Sequence, residues 1–161
     1  LPVYLSSVAN WSFDQTGGFM ALWIIGYGII QALVPKFLKR TNDSRTAVMA
    51  VTKWGWGLVI IPLMIMLVGE NILFMLIGLM VFGIVFAFNS SLHSYLIVAL
   101  SDHEKVSLNI GFYYMANAIG RFMGTLLSGL VYQFFGLLAC LSISSLMILI
   151  SVLLVGRIKD E

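Results

Sequence analysis

Charge is the first thing this sequence is short of. Asp, Glu, Lys and Arg make up 10% of its 161 residues, against about 25% in an average soluble domain. Proline occurs three times and cysteine once, at Cys140 inside an apolar run. A lone cysteine forms no intrachain disulfide and anchors no metal site. There is no phosphate-binding Gly loop, no Cys/His metal spacing and no nucleophile motif. Asp102-His103-Glu104 comes nearest to a titratable cluster. Three successive residues in a short hydrophilic loop do not easily converge on one ion, so a solvated loop is the better reading. The basic stretch from Lys36 to Lys53 suits a membrane edge and needs no nucleic acid. No signal peptide is visible. These gaps argue against an enzyme, and no cofactor or metal is expected.

Apolar sequence fills the space. The chain is 60% hydrophobic with a mean hydropathy of +1.01, which predicts an all-α integral membrane protein. Helices are expected at about 17–38, 50–68, 72–100, 107–134 and 137–156, each long enough for the roughly 20 residues that cross a hydrocarbon core. Pro62 predicts a kink in the second. Leu1–Leu5 reads as the last turn of a further helix. The chain lacks an initiator Met and is read as the C-terminal part of a longer protein. Lys36, Lys39, Arg40, Arg45, Lys53, Lys105, Arg157 and Lys159 all fall on one side if the spans alternate, and Asp14 and Glu70 on the other. The positive-inside rule then makes the C-terminus cytoplasmic. Trp11, Trp54 and Trp56 read as interface anchors.

The ninth basic residue, Arg121, lies within the membrane. A charge at that depth costs at least about 2.5–3.5 kcal/mol on insertion scales and faces a protein interior or a watery cavity. Tyr114, Asn117, Arg121, Thr125 and Ser128 are spaced 3, 4, 4 and 3 apart, so they share one helical face. Gly120, Gly124 and Ser128 form a small-residue ridge beside it, suited to a close helix neighbour. No Asp or Glu lies within any span. A buried cation with amide and hydroxyl companions suits a small anion such as a phosphate or carboxylate. The competing reading is a structural arginine, bonded to carbonyls or to a partner elsewhere in a longer chain.

Trp23, Tyr27 and Gln31 recur at i, i+4, i+8 on the first span, and Asn89 and His93 lie four apart on the third. Asn89 and Arg121 fall at similar depths, which predicts a cavity shared by three helices, with the featureless second and last spans outside it. His93 is equally a proton carrier or a satisfied structural histidine. Tyr27 and Gln31 serve as helix–helix glue at least as readily as they line a pocket. The candidate substrate-binding set is therefore Arg121, Asn117, Tyr114, Asn89, His93, Gln31 and Tyr27.

The sequence resembles the C-terminal six-helix half of the major facilitator superfamily, the end of helix seven plus helices eight to twelve. The blocks LPVYLSS, GGFMALWIIGYGIIQALVPK, NSSLHSYLIVALSD, VSLNIGFYYMANAIGRFMGTLLSGLVYQ and GLLACL resemble organoarsenical efflux permeases of the ArsJ type. That resemblance implies a bacterial inner-membrane exporter of an anion such as 1-arseno-3-phosphoglycerate. Its implied partners are the lipid bilayer, the other half of the same chain and, functionally, a glyceraldehyde-3-phosphate dehydrogenase. Residues 34–40, VPKFLKR, stand where the superfamily has a cytoplasmic motif but lack its Asp-Arg pair. A carrier of another anionic metabolite or drug, or a membrane scaffold subunit that transports nothing, remain the alternatives.

Overall fold

A computed structural model describes residues 1–37, 44–68, 71–101 and 106–157. Lys39, Arg40, Glu70, Asp102-His103-Glu104, Lys105 and Lys159, all named above, lie outside the described residues. Among the described residues the regular elements are all α-helices: α1 (Pro2–Ser7), α2 (Phe13–Phe37), α3 (Ser44–Val68), α4 (Ile72–Ala99) and a helical stretch over Val106–Arg157. That last stretch has 52 residues and would run roughly 78 Å if straight, far beyond a bilayer's roughly 30 Å core. Gly136 divides it, with φ 76° and ψ −172°, a conformation essentially confined to glycine. The two arms, 106–135 and 137–157, are α5 and α6.

Helix directions follow from the contacts. Trp23 meets Leu79 and Gln31 meets Ser90, so α2 and α4 run parallel. Gly78 sits against Ile65 and Trp54 stacks on Phe88, so α3 is antiparallel to α4. Gly55 lies under Val152 and Ser142 donates to the Met66 sulfur, so α6 is antiparallel to α3. Asn109, at the start of α5, donates to Ser101 just past the end of α4. Tyr132, near the end of α5, reaches Ser7 of α1 at 3.4 Å. Thus α2, α4 and α6 run one way, and α3 and α5 the other.

Two helices begin earlier than the hydrophobic pattern predicts. Helix α2 starts at Phe13 rather than 17 because Ser12 and Gln15 form a reciprocal cap. Gln15 N–H donates to Ser12 Oγ at 3.2 Å, and Ser12 N–H donates to Gln15 Oε1 at 2.9 Å. Asp14 in that first turn favours the positive end of the helix dipole. Helix α3 starts at Ser44 rather than 50, so Arg45 stands on helix and not on a loop. Ala47, Val48 and Val51 make one buried stripe there, packed on Leu92 and Leu96 of α4. That stripe holds the extra turns although charges dilute the local hydropathy. Helix α3 continues through Pro62 to Val68.

Helix α4 opens on Asn71, whose Oδ1 accepts from the N–H groups of Leu73 at 3.0 Å and Phe74 at 3.4 Å. Tyr4 and Leu5 of α1 are buried with Met75 of α4, which fixes the short first helix against the bundle. Asn10 takes a positive φ of 56° between α1 and α2, a conformation asparagine tolerates. Trp54 is partly buried, its ring stacked on Phe88 with centroids 4.8 Å apart. It therefore packs α3 on α4 and is not a simple interface anchor.

Candidate functional site

The seven candidate residues occupy three separate places. The first is the seam between α2 and α4. Trp23, Tyr27, Phe86 and Phe82 form a ladder of stacked rings with centroids 5.5–6.0 Å apart. Trp23 Nε1–H donates to Leu79 O at 3.1 Å. The approach is possible because residue 83 is glycine: a Cβ there would lie 3.0 Å from Trp23 Nε1. One turn on, Gln31 Nε2 donates to Ser90 Oγ at 3.2 Å, and Ser91 Oγ donates to Gln31 O at 3.1 Å. Tyr27 and Gln31 are thus engaged in joining two helices. Ser90 and Ser91 complete the join; the sequence signals them only as hydroxyls on the helix facing Gln31.

The second place is the opposite flank of α4. Asn89 and His93 line a small cavity with Thr52 and Gly55 of α3 and Ser151 and Val152 of α6. Asn89 is buried. The helices expected to be outer support, α3 and α6, therefore form this cavity, and one serine of α6 is buried: Ser145 is 4% exposed. Neither Arg121, Asn117 nor Tyr114 lines it.

The third place is α5. Every residue from 114 to 130 is exposed, Tyr114, Asn117 and Arg121 among them. Arg121 stands about midway along the arm 106–135. The only acidic side chain among the described residues is Asp14, at the start of α2. Thr125 Oγ1 donates back to Arg121 O at 2.8 Å, and Ser128 Oγ donates to Thr125 O at 3.0 Å. Both hydroxyl protons are therefore used inside the helix, and the donors left for an external anion are Arg121, Asn117 and Tyr114. A Cβ at Gly120 or Gly124 would meet nothing within 4 Å, so the small-residue ridge lies open as well. The structure does not gather Arg121 with Asn89 and His93 in one cavity. The helical repeat placed each pair on a face but could not say which neighbour that face meets.

A larger hollow of about 400 Å³ lies near the Gly136 bend, lined by Tyr4, Met75, Tyr132 and Leu137 among others. It carries no cationic side chain, so it offers nothing to hold an anion.

The family profile of the Major Facilitator Superfamily matches residues 1–160. The chain belongs to that superfamily. No curated protein and no solved structure matches it. As a major facilitator transporter sequence it is a multi-pass membrane protein. The membership accounts for its apolar exterior: side chains such as Leu22, Leu67 and Phe135, each more than 70% exposed, belong against lipid or against another helix. In a superfamily of carriers, a membrane-embedded cation on an open helix face is a candidate contact for cargo rather than a stray charge.

Proposed function

We propose that this chain forms one wall of an alternating-access exporter for a small organic anion, with Arg121 as the group that holds the anion. The observation that carries the reading is Arg121 itself: a guanidinium midway along α5, exposed, while the only carboxylate among the described residues is Asp14, in the first turn of α2. Its planar fork binds phosphate or carboxylate through two parallel hydrogen bonds. Asn117 and Tyr114 lie one and two turns away on the same face and add neutral donors. Tyr27 and Gln31 brace the wall, and Asn89 and His93 lie behind it.

The organoarsenical reading rests on sequence resemblance and refines this proposal. Its cargo would be a phosphorylated arsenical such as 1-arseno-3-phosphoglycerate, supplied by a glyceraldehyde-3-phosphate dehydrogenase. The chain would then supply the end of helix seven and helices eight to twelve of a bacterial inner-membrane protein, with its C-terminus in the cytoplasm and the other half of the chain opposite α5.

Uptake into inverted membrane vesicles, with the full-length protein, tests the proposal. Losing one charge-assisted contact worth about 1.5–3 kcal/mol weakens binding roughly 10- to 100-fold. Arg121→Ala should therefore abolish uptake of the anion at low concentration while the protein still inserts. An Arg121→Ala protein that transports as wild type removes the arginine from the mechanism. Normal uptake of a phosphorylated metabolite with none of the arsenical would keep the anion carrier and discard the arsenic assignment.

A further inference from the structure

We propose that the cavity between α3, α4 and α6 is a binding site for a single water molecule, held by Asn89 in a compartment that α5 does not line. Asn89 is 9% exposed, and its Oδ1 is buried with no hydrogen-bond partner among the described residues. Leaving such an oxygen unsatisfied forfeits the hydrogen bonds that it would make to water in the unfolded chain. The space open to the centre of a water molecule is about 20 Å³. One water needs about 10–15 Å³ by that measure, so the cavity takes one and is too small for a cluster.

The lining supplies the remaining partners. Thr52 Oγ1 donates its own proton to Val48 O at 2.9 Å, so its lone pairs are left to accept. A water that donates to Asn89 Oδ1 has a second proton for the oxygen of Thr52 or Ser151, and it can accept from an imidazole N–H of His93. No carboxylate lines the cavity, and three neutral side-chain oxygens fall short of the oxygen cage that a hard cation takes. Water is therefore the occupant that this donor and acceptor set fits. Bound there, it ties α3, α4 and α6 together and satisfies a polar group that lipid cannot.

The test is X-ray radiolysis of the full-length protein in lipid nanodiscs containing heavy-oxygen water, with residues read by mass spectrometry. Radiolysis labels side chains that touch an ordered water. Val152 lines the cavity and Val59 does not, yet both are 6% exposed. Val152 should take up label several-fold faster than Val59, and Asn89→Leu should bring the two rates together. Equal rates in the wild-type protein overturn the proposal, whether or not the variant folds. It is also overturned if folded Asn89→Leu protein labels Val152 as fast as before. A Val152 rate that changes when sodium is replaced by choline would mark a cation site instead.

Discussion

Arg121 and the glycines show how much turns on single side chains in a nearly uncharged helix bundle. Replacing Arg121 by lysine keeps a charge at the same depth but removes the planar fork, leaving a point charge. Arg121→Lys should raise the concentration for half-maximal uptake several-fold while leaving the maximal rate near wild type. The concentration dependence of uptake into inverted vesicles measures this, and an unchanged curve would mean that no bidentate clamp exists. Gly55 poses a packing question of the same size. A Cβ there would lie 2.5 Å from Cγ2 of Val152, a stiff β-branched side chain. Gly55→Ala should cost about 1–3 kcal/mol of stability, read as a lower unfolding temperature in detergent. Adding Val152→Ala should recover most of that loss. If the two losses simply add, the contact is not the cause. Gly26 is the control: a Cβ there meets nothing within 4 Å, so Gly26→Ala should hold stability or raise it by up to about 1 kcal/mol.

Among elements, the hairpin of α5 and α6 depends most on one backbone conformation. Gly136 has open space around its Cα, so any penalty for Gly136→Ala comes from the backbone alone. It should be about 1–3 kcal/mol, because φ 76° with ψ −172° lies where side-chain-bearing residues are strained. Hydrogen exchange across residues 133–139 should accelerate in the variant while the α3–α4 contact around Val51 and Leu92 stays protected. Uniformly faster exchange would mean that the bend is the keystone of the bundle rather than a local turn. The sequence shows the break at Gly136 because apolar runs too long for one crossing must turn somewhere. It shows the early start of α2 less clearly, because Ser12 and Gln15 act through a cap that hydropathy does not register. It hides the start of α3, where the buried stripe of Ala47, Val48 and Val51 outweighs the charge of Arg45. The site divides in the same way. Period alone puts Tyr114, Asn117 and Arg121 on one face, whereas the orientation of Asn89 and His93 toward α3 and α6 depends on tertiary packing.

For the molecule as a whole, the contacts fix a polarity that the charges then label. Helices α2, α4 and α6 run one way, so Lys36 at the end of α2, Arg45 at the start of α3 and Arg157 at the end of α6 gather at one end of the bundle. Asp14 at the start of α2 lies at the other. Basic residues near short loops stay on the cytoplasmic side, so the bundle should insert with Arg157 inside. In a full-length protein with Cys140 replaced by serine, a cysteine at position 36 should react with a membrane-impermeant maleimide only in inverted vesicles. A cysteine at position 14 should react only in intact cells. Labelling of both from one side would contradict a membrane crossing by α2. Labelling of each from the wrong side would keep the fold and reverse the transporter. Export and uptake would then exchange places, because the bundle end that carries Lys36, Arg45 and Arg157 would face outward.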